Sequence, residues 1–289
     1  MGNVERGKAM GFKEFKMVKR VSLGVMAVLL CIAAVSQAQD SGLHGNVSLA
    51  YQSSYIWRGF DVYGPGSHSA IQPSVDLNFF NTGFGLNVTG HRAISSGYEM
   101  AERWDYNPYY QNSLFNDEAY MTMYRIGYVY YNYPQNPWRW FDLQELHGIL
   151  AWPKILGVKG LVPAYVLVKL WPSGSDSFVG ANAPGCGTAS GFAHIFMLDY
   201  ALALPGFLPD TPEQILNLHA EAVYNDGVSP NGASDVDHDW SNAVFGVSTD
   251  FKLAQNLILT PGLFYQSSWE DTVNDEDETW VTVALKYTF

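Results

Sequence analysis

Apolar side chains occupy every second position at the end of the chain. Val281, Val283, Leu285, Tyr287 and Phe289 alternate with Trp280, Thr282, Ala284, Lys286 and Thr288, which are mostly polar or small. A period of two describes a strand with two unlike faces. The same alternation runs through residues 45–59 (GNVSLAYQSSYIWRG), with Val47, Leu49, Tyr51, Tyr55 and Trp57 opposite Asn46, Ser48, Gln52, Ser54 and Arg58. It returns at 70–79, where Ile71, Val75, Leu77 and Phe79 oppose Gln72, Ser74, Asp76 and Asn78. After the tight turn FNTGF it continues at 84–92, with Phe84, Leu86 and Val88 opposite Asn87, Thr89 and His91. Further strands are predicted at 102–112, 119–131, 142–152, 161–171, 192–204, 215–225, 242–252, 257–267 and 279–289. The first of these is the least regular; Tyr124, Ile126, Tyr128 and Tyr130 mark one face of 119–131. The total is twelve.

The connections alternate in kind. Short ones (NTG, PKILGVKG, LAQN and PGFLPDTPEQ) take turns with long Gly-, Asp- and Asn-rich ones, such as PSGSDSFVGANAPGCGTASG, NDGVSPNGASDVDHDW and SSWEDTVNDEDE. An even count of roughly ten-residue strands, with short turns at one end and long loops at the other, describes an outer-membrane barrel. Dropping 102–112 would make the count odd and misplace two long loops. Aromatic residues near strand ends suit the two interfacial girdles of such a barrel: Tyr55, Trp57, Trp104, Tyr128, Tyr130, Tyr131, Trp138, Trp140, Trp152, Trp171, Trp269 and Trp280. The predicted class is therefore all-β, a transmembrane antiparallel up-and-down β-barrel of about twelve strands after a cleaved signal peptide. A secreted soluble β-sandwich or lipocalin-like barrel is the alternative.

Residues 1–38 read as that signal peptide. Lys16, Lys19 and Arg20 precede an apolar stretch from Val21 to Val35, and the small residues Ser36 and Ala38 stand before Gln39. The stretch is too short to span a membrane as a helix, which takes about 20 apolar residues. Translation can start at Met1 or Met17, and Leu30 before Cys31 is too large for a lipoprotein cleavage site. Export then leaves one cysteine, Cys186, in the barrel domain 39–289 and no intrachain disulfide. Six of the 16 Lys/Arg but two of the 28 Asp/Glu lie in 1–38, so residues 39–289 carry a net charge of −16. That balance excludes nucleic acid as a partner.

Four short stretches carry a family resemblance: YQSSYIWRG on the first strand, GYVYYNYP ending the fifth, LVPAY opening the seventh and the terminal ALKYTF. Together they resemble the outer-membrane porins called TorF-type. The resemblance implies a twelve-stranded barrel of unassigned substrate. Phe289 is similar to the carboxyl-terminal signal read by the barrel-assembly machinery. Outer-membrane lipid, lipopolysaccharide, that machinery and small solutes or ions are the expected partners, with no cofactor.

A charge facing lipid at midplane costs about 2–4 kcal/mol, so charged positions are assigned to the lumen. The candidates are Arg58, Asp76, His91, Arg125, Glu145, His147, Lys169, Asp199, His219, Glu221 and Lys286, with polar Gln72, Asn78, Asn87, Asn217, Thr260 and Gln266. Glu145/His147 and His219/Glu221 are i, i+2 pairs on single strand faces. They suit either a metal or proton-linked site or an ion-pair network with Arg125 and Lys169. Asp235, Asp237 and Asp239 have the spacing of a calcium loop, but Trp240 and Gly246 replace its turn glycine and closing Glu, so only loose surface binding of divalent ions is left. Ser190 with His194, and His238 between Asp237 and Asp239, are the residues on which a hydrolase would have to rest. No H-E-x-x-H or G-x-S-x-G occurs. The expected function is a porin without chemistry, its filter set by Glu145, His147, Arg125, Lys169, His219 and Glu221. The rival is a plugged barrel whose surface loops bind or adhere.

Overall fold

The computed structural model describes residues 42–64, 68–174, 190–207, 212–228 and 236–289. The expected signal peptide, Cys186 and Asp235 lie outside them. Twelve strands build the wall: β1 (Leu43–Gln52), β2 (Ala70–Phe79), β3 (Phe84–Ala93), β4 (Arg103–Leu114), β5 (Thr122–Asn132), β6 (Leu143–Ala151), β7 (Leu161–Pro172), β8 (Gly191–Pro205), β9 (Glu213–Asp226), β10 (Asp239–Thr249, resumed as Phe251–Ala254), β11 (Leu257–Ser268) and β12 (Glu278–Thr288). Each pairs antiparallel with its neighbours in sequence. β12 returns to β1 in the register Leu49↔Leu285 and Tyr51↔Val283, which closes the ring.

Register fixes which way each face points. Asp76 lies opposite Asn46 and Asn87, Asn87 opposite Asn107, and Glu221 opposite Val244, which in turn faces Gln266, so these positions share the inside. The outward face is apolar, with Leu49, Leu146, Leu198, Phe245, Leu263, Val281, Val283 and Leu285 all more than a third exposed. On this face of the described strands the only charged side chains are Arg92, Lys169 and Asp226, and each stands near the long-loop end of its strand. A belt so long and free of charge has no place in water and fits an acyl layer. The molecule is thus a transmembrane barrel.

Outward aromatics collect at the two rims. Phe84, Tyr110 and Tyr124 touch in series near the short-turn end. Tyr128 with Trp171, and His194 with Tyr224 and Trp240, do so near the long-loop end. Four residues expected in the girdles point elsewhere, because Tyr55, Trp57, Tyr131 and Trp280 are inside. For the first two the reason is local: β1 stops at Gln52, and the chain beyond it turns into the barrel.

Phe289 closes the seam at the short-turn end. Its N–H donates to the Gly45 carbonyl at 3.0 Å, and the Gly45 N–H donates to its carbonyl at 3.1 Å. The ring is buried over Gly45, where a Cβ would meet the ring at 3.0 Å and the Asp76 carbonyl oxygen at 2.2 Å.

Candidate functional site

The first long loop supplies the central feature of the interior. Ile56–Trp57 and Phe60–Asp61 pair as a two-rung hairpin whose turn is Arg58-Gly59. Both turn residues have positive φ, 52° and 91°, the conformation that joins strands with their natural twist. Glycine adopts it freely and Arg58 at some cost. At Gly59 even a methyl group would strike Asn242 Oδ1 at 2.5 Å.

This tip crosses the lumen. Arg58 Nη1 lies 2.7 Å from Glu145 Oε2 on β6, while the Gly59 carbonyl accepts from Gln266 Nε2 on β11 at 2.8 Å. Those strands are five places apart in a ring of twelve, so one dipeptide touches nearly opposite walls. Phe60 completes the far contact in a buried cluster with Val236 and Val273.

The hairpin's near side rests on a dense polar and aromatic layer. Arg103 makes a two-pronged contact with Asp105, Nε to Oδ1 at 2.7 Å and Nη2 to Oδ2 at 3.0 Å, and donates to the Tyr55 hydroxyl at 2.8 Å. Its guanidinium also lies 4.5 Å from the Trp57 ring centre and 4.7 Å from that of Tyr131. Tyr55 stacks on His91 at 4.9 Å. Gln72 Nε2 can only donate to His91 Nδ1 (2.9 Å), which leaves the His91 proton on Nε2, directed at Asp105 Oδ2 (2.9 Å). Glu145 is wrapped in the same way, accepting from Tyr131 at 2.5 Å and meeting His147 Nδ1 at 3.0 Å. Gly127 makes room for the His147 ring, since a Cβ there would lie 2.4 Å from Nε2. In the hairpin, burial pushes the Asp61 carboxyl above its ordinary value, against hydrogen bonds from the Tyr63 and Gly64 N–H groups.

Toward the short turns the interior opens. One cavity of about 650 Å³ is lined by residues that include His44, Asn78, Gln111, Ser113, Met123 and Arg125. A second, of about 450 Å³, is lined by Asp199, Asn217, His219, Ser248 and Phe264 among others. In the first, Arg125 is held by Gln111 Oε1 (2.5 Å) and lies over the Tyr109 ring at 4.1 Å, while the Tyr109 hydroxyl donates to Asp76 at 2.8 Å. In the second, His219 sits between Asp199 (2.7 Å) and Glu221 (3.4 Å).

Of the sequence candidates, Asp76, His91, Arg125, Glu145, His147, Asp199, His219, Glu221 and Lys286 point inward from strands, and Arg58 enters on the hairpin rather than on β1. Lys169 does not belong with them. In the β6–β7 register Val168 faces His147 and Leu170 faces Glu145, so Lys169 is on the outer surface. It sits near the rim with its Nζ 3.2 Å from Ser190 Oγ and 4.3 Å from the Phe192 ring centre. The expected network also pairs differently: Glu145 takes Arg58 instead of Arg125 or Lys169, and His219 takes Asp199 as well as Glu221. Lys169→Met should accordingly leave the ion selectivity unchanged, which reversal potentials in a salt gradient would check.

Arg103 and Asp105 escaped sequence reasoning. They form an i, i+2 charge pair like Glu145/His147, but on the least regular strand, where Trp104, Tyr106, Tyr109 and Tyr110 blur the two faces. The residues considered for hydrolysis have other partners. Tyr165 OH lies 2.7 Å from His194 Nδ1, and Ser190 is engaged by Lys169. His238 Nδ1 is within 2.5 Å of Asp226 Oδ1 on the exposed rim. Asp237 and Asp239 flank that histidine, and among the described residues no group of three or more His, Cys, Asp or Glu is placed to hold a metal ion.

No protein-family model matches the chain, and no curated protein matches it. Among solved structures it is similar to the NanC porin, with a TM-score of 0.50 and 9% identity over 85% of this chain and 100% of that one. An outer membrane channel from Pseudomonas putida F1 gives 0.49 and 12%, covering 85% and 96%. The KdgM porin gives 0.45 and 12%, covering 85% and 99%. What is shared is the fold. At 9% identity the likeness to the NanC porin extends to the closed barrel and no further.

Proposed function

We propose that this protein is a porin of the bacterial outer membrane that passes small solutes or ions by diffusion and carries out no chemistry. The observation that carries this reading is the polar, cavity-containing inner half of a lipid-embedded barrel, where Arg125, Asp199 and His219 line the two cavities, with Asp76 bonded to Tyr109 and Glu221 beside His219. Side chains that line a lumen set which ions enter it. The acidic excess of residues 39–289 favours cations. The TorF-type resemblance and the porin fold support the same class. Lipid and lipopolysaccharide would contact the outer belt, and Phe289, seated on Gly45 at the seam, would serve as the signal for assembly.

Single-channel recording of the refolded protein in a planar bilayer tests this. Stepwise openings with a reversal potential of cationic sign are expected, and a correctly folded barrel that stays silent under every voltage and variant tried would sink the proposal. The second reading, a plugged barrel that works through its surface loops, is favoured by one observation: the wall-to-wall contact of the Arg58-Gly59 turn.

A further inference from the structure

The hairpin is the part of the interior that decides between those readings, and it is unevenly held. Its near side, through Tyr55 and Trp57, packs on Arg103, His91 and Tyr131. At the tip the polar contacts are fewer: the Arg58–Glu145 pair and the bond from Gln266 to the Gly59 carbonyl. Buried polar atoms with no hydrogen-bond partner in the protein collect along this same stretch and its seat. They include Gln52 Oε1, Ser54 Oγ and Tyr63 OH on the chain that leads into and out of the hairpin, and Asn242 Nδ2 and Gln266 Oε1 on the wall under the tip. A buried orphan polar group costs free energy that hydration would return. The left-handed conformation of Arg58 adds to the cost of the seated state. Two opposing sets of terms therefore meet in one short segment, which is the condition for two alternative positions rather than one.

The placement of the cavities gives the two positions a function. Both open volumes lie on the short-turn side of the hairpin. On the long-loop side, Tyr131, Leu143, Val168, Leu170, Ile195 and Val223 form a buried core with Trp57 packed against it, although all but Trp57 are wall residues that face inward. Inward-facing apolar residues suit a lumen that is dry while the hairpin is seated.

We propose that the hairpin Ile56–Asp61 is a gate: seated, it shuts the outer half of the barrel, and released from Glu145 and Gln266 it swings toward the outer mouth and joins the two halves of the lumen. This rests on the channel reading and adds its regulation. The near-side layer acts as the hinge and the Arg58–Glu145 pair as the latch.

Three variants recorded in planar bilayers test it. Glu145→Gln keeps the side chain's shape and should raise the open probability about tenfold by weakening the latch. Phe60→Cys with Val273→Cys, in a Cys186→Ser background, should give a barrel that is silent when oxidised and conducts again after reduction. Replacing residues 55–63 by a Gly-Ser linker should leave a pore that is open throughout. If Glu145→Gln and the oxidised pair conduct like the parent protein, the hairpin is a fixed constriction and the gate is refuted while the channel stands. If the linker variant folds, as judged by its heat-modifiable mobility, and never conducts, the channel reading falls and the gate with it.

Discussion

Arg103→Leu is expected to destabilise the folded barrel by about 3–5 kcal/mol, the usual cost of removing one partner from a buried ion pair. The Arg103 side chain is only 3% exposed and that of Asp105 14%, so water does little to screen the charge left behind. Asp105 would keep a single partner, His91, whose other ring nitrogen is engaged by Gln72. The Tyr55 hydroxyl would lose its donor, and the Trp57 and Tyr131 rings would lose the cation between them. Denaturant unfolding of the protein in detergent micelles, followed by tryptophan fluorescence, measures the loss. Changing Asp105 to Leu as well should recover most of it, because two apolar groups leave no unpaired charge. A loss below about 1 kcal/mol for Arg103→Leu would mean that the layer is hydrated and does not hold the hairpin's base.

The second large effect is on selectivity, and its sign can be set in both directions from one site. Asp76 and Arg125 sit on either side of Tyr109 beside the larger cavity, one bonded to its hydroxyl and the other over its ring. A unit charge about 8 Å from a passing ion in water is worth about 0.5 kcal/mol, or roughly 2.4-fold in local ion concentration. Neutralising it changes cations and anions in opposite senses. Asp76→Asn should therefore lower the cation-to-anion permeability ratio by about sixfold, Arg125→Gln should raise it by the same factor, and the double variant should return close to the parent. Reversal potentials of open events at about 0.1 M salt are the appropriate readout, since at 1 M the screening length falls to about 3 Å. Equal shifts of the same sign would place the permeation path away from Tyr109.

The wall of the barrel was legible because most of its strands have one polar and one apolar face, so that alternation reports the pleat directly. β7 shows the limit of that signal. Its inward residues Val162, Ala164, Val166, Val168 and Leu170 are as apolar as its outward ones, so the cost of a charge in lipid is the sole guide there and puts Lys169, the one charge, on the wrong face. In the folded protein Val166, Val168 and Leu170 belong to a buried apolar cluster with Trp57 packed against it, and Lys169 reaches the rim along its own aliphatic stem. The first loop misled for the opposite reason. Period-two spacing persists from Tyr51 through Trp57, although the strand ends at Gln52, and the Arg58-Gly59 dipeptide was the local sign of a tight turn. Which charges meet across the lumen was out of reach of any local pattern. Arg58 and Glu145 are joined by the curvature of the whole wall, and no spacing along the chain encodes it.

The seam between β1 and β12 has a consequence for how the protein is made. Its rungs join residues 230 or more positions apart, such as Leu49 and Leu285, and the final one holds Gly45 to Phe289. No ring can form until β12 has been synthesised, and until then the open sheet keeps two edges, β1 and the last strand laid down, each with a neighbour on one side only. Meanwhile the alternating leucines, valines and aromatics destined for lipid are in water. The apolar periodicity that defines the finished barrel is, in the unfinished chain, a pattern prone to sticking to its own copies. Between synthesis and closure the chain has to be held apart from itself, and the length of that interval is set by its two most distant strands.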